Sequence, residues 1–72
     1  MNHRQYNQFL DNVSNTVEAY FHHVQDATED KAFQVAFDAL NGKSWSPDAR
    51  AEARKIVQGC MRNRNRRQVS AA

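Results

Sequence analysis

The sequence predicts an all-α protein: a small antiparallel three-helix bundle with short connections and a basic C-terminal tail. Three observations predict it. Apolar side chains from Tyr6 to Val24 recur at steps of three and four residues. Two further stretches share that period and are bounded by helix start and stop residues. No segment alternates polar and apolar residues as a strand would, and there is no internal repeat or sustained heptad array. Helices are expected at about 3–24, 27–40 and 47–64, making residues 1–64 one domain and residues 65–72 a flexible basic tail.

Helix 1 organises the rest. Tyr6, Phe9, Leu10, Val13, Val17, Tyr20, Phe21 and Val24 fall within an arc of about 120° when wound at helical pitch. Asn7, Asp11, Asn15, Glu18 and His22 occupy the other face. Asn2 is the candidate N-cap. His22 and His23 close the last turn, where protonated imidazoles favour the negative end of the dipole.

Helix 2 starts near Asp26 or Thr28. Asp26 and Glu29 have capping-box spacing, and Thr28 is the competing cap. Asn41-Gly42 ends the helix, with Gly expected to take the left-handed conformation. The apolar set here, Ala32, Phe33, Val35, Ala36, Phe37, Ala39 and Leu40, covers about 200°. So wide a face needs contact on two sides. Either helix 2 lies between its neighbours or its outer flank meets a partner.

Helix 3 opens at Ser46-Pro47-Asp48, with Ser as N-cap, Pro at the first helical position and an acid in the first turn. Ala49, Ala53, Ile56, Val57, Cys60 and Met61 form its apolar side. The apolar pattern stops at Met61 and an arginine-rich run follows.

Composition narrows the function classes. The chain has 72 residues and a net charge of +2. Residues 1–45 hold three cations and six acids, a net −3, whereas residues 46–72 hold seven cations and two acids, a net +5. The helix dipole accounts for part of this separation, but it does not require four arginines in six residues. Cys60 is the only cysteine, so no intramolecular disulfide forms, and a reducing compartment is the simplest setting. Met1 to Gln8 is polar, without the apolar core of a secretory leader, and no apolar run approaches the ~20 residues of a membrane span. A cytoplasmic protein is expected.

Catalysis is not expected. The sequence holds no Gly-rich phosphate loop, no Ser–His–Asp pattern and no carboxylate pair on an apolar face. Cys60 lies on the apolar side of helix 3, where a thiol stays protonated. A metal site is not expected either: His22 and His23 point about 100° apart on a helix, and His3 and Cys60 lack ligand spacing. No cofactor is implied.

Two binding readings remain. The first is a stoichiometric regulator or inhibitor that binds a larger protein. Tyr20, Phe33, Phe37 and Trp45 are its apolar contact candidates, with Trp45 alternatively a core plug. Asp30 and Asp38 belong to an acidic side that can dock on a basic protein surface, including one in a nucleic-acid-processing complex. A symmetric homodimer would also hide the excess apolar arc of helix 2. The second reading is DNA or RNA binding through Arg50, Arg54, Lys55, Arg62, Arg64, Arg66 and Arg67. If helix 3 continues, Arg50, Arg54, Lys55, Arg62 and Arg66 share an arc of about 160° that can follow a phosphate backbone. The Asn41 to Ser46 connection is longer than a helix-turn-helix turn. No membrane partner is expected, because no apolar wedge accompanies the arginines.

Overall fold

Helix α1 spans His3–His23. It begins with a reciprocal capping box: the Gln5 N–H donates to Asn2 Oδ1 at 2.9 Å, and the Asn2 N–H donates to Gln5 Oε1 at 3.2 Å. The two side chains satisfy backbone donors that the first turn leaves without helical partners. In this computed structural model the described residues are the backbone of 2–71 and the side chains of 2–65. Three α-helices make up the fold, and among the described residues there is no strand.

Helix α2 spans Glu29–Ala39, so it starts two residues later than the sequence pattern places it. Thr28 is the cap, its Oγ1 accepting from the Lys31 N–H at 3.2 Å, and Asp26 is not. The reason lies in the core. Ala27 is only 7% exposed and packs inside as part of the connection, which fixes the chain one residue ahead of the cap.

The turn after α2 also assigns its residues differently from the expectation. Asn41, with φ 54°, takes the left-handed conformation, and Gly42 has no positive φ. Gly42 is required for another reason. A Cβ at this position would overlap the Phe37 ring, including its Cγ atom. A single 3-10 turn, Gly42–Ser44, then delivers Trp45, whose N–H donates to the Gly42 carbonyl at 3.0 Å.

Helix α3 spans Pro47–Ala71. Ser46 caps it, with Oγ accepting from the Ala49 N–H at 3.1 Å. The helical backbone passes Arg64, where the sequence pattern placed its end. No Pro or Gly follows Gly59, and Arg and Gln are good helix formers. The helix is about 37 Å long by its residue count, which sets the 43 Å long axis of the molecule.

Each helix touches the other two. Val13, Val17 and Val57 are the largest fully buried side chains. Around them Ala32, Ala36, Ala49 and Ala53 line the inner faces of α2 and α3. These alanines recur at i,i+4, so they form small-residue stripes that let the helix axes approach. The wide apolar face of α2 therefore divides. Ala32 and Ala36 point into the centre, Phe33, Phe37 and Leu40 pack half-buried on the core, and Ala39 is exposed. No helix among the described residues is long and apolar enough to cross a membrane.

Candidate interaction surface

The seam between α2 and the start of α3 gathers three of the four aromatic residues singled out by the sequence, Phe33, Phe37 and Trp45, and two of the seven cations, Arg50 and Arg54. Trp45 sits at its base, 8% exposed. Its ring meets Phe9, Phe33 and Phe37 edge-on, at centroid distances of 5.2, 6.1 and 5.6 Å. These T-shaped contacts place ring edges against ring faces, the arrangement favoured by the aromatic quadrupole. Trp45 is thus the plug of the bundle end, and the exposed contact surface falls to its neighbours.

Two arginines of α3 lie over the half-buried phenylalanines of α2. The Arg54 guanidinium is 4.3 Å from the Phe33 centroid, and that of Arg50 is 5.6 Å from the Phe37 centroid. Both pairs come from i,i+4 spacing, Phe33/Phe37 on one helix and Arg50/Arg54 on the next. That double spacing was readable in the sequence as a packing signal. The arginine stripe drew attention to phosphate instead. Arg54 is further held by Asp30 at 2.9 Å and Glu29 at 3.3 Å. Arg50 has no carboxylate within ion-pair distance among the described residues. Phe33, Trp45, Pro47, Arg50, Ala51 and Arg54 line an open groove of about 410 Å³. Pro47 and Ala51 were absent from the sequence-based candidates because small apolar residues carry no chemical signal of their own.

The remaining candidates are scattered. Lys55 is exposed and pairs with Glu52 at 3.5 Å. Asp38 is exposed and accepts from Gln34 Nε2 at 2.9 Å. Tyr20 is half-buried, packs on the core and lies against Phe21. Arg62 is exposed. Arg64 is turned inward: its guanidinium lies 5.7 Å from the Phe21 centroid and donates to the Gln25 carbonyl. The side chains of Arg66 and Arg67 lie outside the described residues.

A second hollow, of about 670 Å³, opens between the C-terminal half of α1 and the stretch of α3 from Cys60 to Arg64. Glu18, Phe21, His22, Gln25, Cys60 and Arg64 are among its lining residues. Burial pushes the Cys60 thiol up from its ordinary pKa and the Glu18 carboxylate adds to this, against a hydrogen bond with Ser14 that lowers it. A thiol held protonated is a poor nucleophile. The His22 and His23 rings meet edge-on at 5.1 Å, both exposed. Among the described residues no three His, Cys, Asp or Glu side chains converge as metal ligands would.

The chain matches no protein-family model, no curated protein and no solved structure.

Proposed function

We propose that this protein is a non-enzymatic regulator or inhibitor, acting in the cytoplasm by stoichiometric binding to a larger protein. The observation that carries this reading is the α2–α3 seam. Half-buried Phe33 and Phe37, an open groove and the Arg50 guanidinium, which pairs with no acid among the described residues, form a surface with both apolar and directional polar chemistry. Interface hot spots are enriched in aromatic residues and arginine for these reasons. The finer architecture in this reading is an up-down-up, antiparallel bundle with a basic C-terminal end. Its support is the order of the pairings: Phe37 with Arg50 and Phe33 with Arg54, then Phe9 with Trp45 and Phe21 with Arg64.

Affinity capture with the full chain, followed by calorimetric titration of the captured protein, tests the reading. The expected result is saturable binding at one-to-one or two-to-two stoichiometry. Catalytic turnover of any substrate by the isolated chain would overturn it. Equilibrium sedimentation over a range of concentrations separates the two stoichiometries, because a symmetric dimer gives a concentration-dependent mass.

Nucleic-acid binding is the second reading, favoured by one observation. The α3 backbone stays helical to Ala71, which carries the arginine run in one continuous frame. Against it, Arg54 and Arg64 are committed within the molecule, and Lys55 has Glu52.

A further inference from the structure

The groove between α2 and α3 has its chemistries in a fixed order. Just outside the lining at one end, the Asp30 side chain is 91% exposed and holds Arg54, which does line the groove. Phe33 follows, with Ala51 and Trp45 completing an apolar floor. One helical turn back along α3 from Arg54 stands Arg50, over Phe37. Pro47 closes the far end.

Arg50 differs from the other two cations in the first three turns of α3. Arg54 has two carboxylates and Lys55 has one, whereas among the described residues Arg50 has only a ring face. A guanidinium lying on an aromatic ring keeps its N–H edge free in the plane of the fork. That edge matches a carboxylate with two parallel hydrogen bonds. The contact with Phe37, at 5.6 Å from the ring centroid, restrains the exposed group before any ligand arrives, which lowers the side-chain entropy lost on binding.

The geometry points to a docking groove for a short segment of a larger protein, with an apolar side chain on the floor of Phe33, Trp45 and Ala51. A carboxylate beside that anchor pairs with Arg50, and a basic side chain on its other side meets Asp30. This assignment rests on the protein-binding reading and names the chemistry of the partner. The hollow of about 410 Å³ lies in the size range of small-ligand and side-chain pockets, about 300–1,000 Å³. The charges select a peptide over a polyanion. Arg54 is already answered by Glu29 and Asp30, so among the described residues the groove offers Arg50 as a single unpaired cation, which suits one carboxylate better than a phosphate backbone, and exposed Asp30 repels a polyanion. A segment with one acid and one base flanking an apolar anchor meets complementary charge at both ends.

Selection of random displayed peptides of about a dozen residues on the full chain tests this. The expected consensus has an apolar anchor with an acid on one side and a base on the other. Its synthetic peptide, followed by fluorescence anisotropy, loses at least ~10-fold in affinity on Arg50→Glu. Replacing the acid of the peptide by Lys restores affinity for that variant. Ala51→Arg, which fills the floor from an exposed helix position, abolishes binding and provides a second variant should Arg50→Glu fail to fold. Enrichment of peptides insensitive to both substitutions would overturn the groove and leave the protein-binding reading standing. Failure to enrich any peptide, or Arg50-dependent binding of a labelled oligonucleotide instead, also overturns the groove. The capture experiment then decides the broader reading separately.

Discussion

Two glycines with opposite surroundings illustrate how far a single residue type can be read. At Gly42 a Cβ would collide with Phe37, and the collision includes Cγ, which clears only by a change of χ1 that takes the whole ring away from Phe33 and Trp45. Gly42→Ala is expected to destabilise the fold by about 1–3 kcal/mol, the usual range for overpacking. At Gly59 the same Cβ meets nothing within 4 Å. Gly59→Ala is expected to stabilise by about 0.4–1 kcal/mol through the unfolded-chain entropy and helix propensity. Urea denaturation of the pair checks both signs together. The sequence pointed to both positions but to the wrong property of one. A glycine after a helix usually supplies a left-handed φ, and here Asn41 supplies it while Gly42 supplies space. Only the position of the Phe37 ring separates the two roles, and that is a tertiary fact. Cys60 behaves differently again. Its thiol holds its proton more tightly in the folded chain than in the unfolded one. Its contribution is therefore intact below the unfolded thiol pKa of about 8.5 and is lost as pH rises through the higher folded value. The difference in urea midpoint between the parent and Cys60→Ala should shift against the parent as pH rises through that window, and a flat difference would contradict the assignment.

At the scale of elements, helix starts were more legible than helix ends. The Asn2 and Ser46 caps act through local hydrogen bonds between near neighbours, so local sequence announces them. Two caps competed for α2, and the choice between Asp26 and Thr28 was made by burial of Ala27, which no local pattern contains. The end of α3 had no stop signal at all, since an apolar stripe can finish while the backbone continues. Cys60 and Met61 pack on the core, and beyond them Arg64 ties α3 to the Phe21 ring and to the Gln25 carbonyl past the end of α1. A cation beside those terminal carbonyls also opposes the negative end of the α1 dipole. Arg64→Ala is expected to lower stability by about 1–2 kcal/mol, since a hydrogen bond from a charged donor and a cation–π contact are both lost but each is weakened by partial exposure to solvent. Amide hydrogen exchange should quicken selectively in α3 beyond Val57, while protection around Ala53 persists. Uniform loss of protection would mean that Arg64 supports the whole bundle and not one end of it.

For the whole molecule, the question is how a chain with so many arginines distributes its charge. Sequence alone sets −3 against +5 across the two halves, which reads as a basic end awaiting an anion. Folding brings the halves together, and part of that excess is answered internally by Glu29, Asp30, Phe21 and the Gln25 carbonyl. A helical wheel of α3 could not reveal this, because the answering groups lie mostly on other helices. The consequence for nucleic acid is quantitative. Counterion release scales binding with the number of phosphates neutralised, with a slope of about −0.9 per contact on duplex DNA. Arginines already held by carboxylates and carbonyls contribute little to that slope. The full chain is therefore expected to bind generic duplex and single-stranded DNA no more tightly than the non-specific range, about 10⁻⁴–10⁻⁶ M at physiological salt. Changing Arg62, Arg66 and Arg67 together to Gln should flatten what salt dependence exists without affecting helical content or the binding of a protein partner. Anisotropy titrations at several salt concentrations measure this directly. Submicromolar, salt-sensitive binding that the triple substitution abolishes would reverse the order of the two functional readings and make the end of α3 the site.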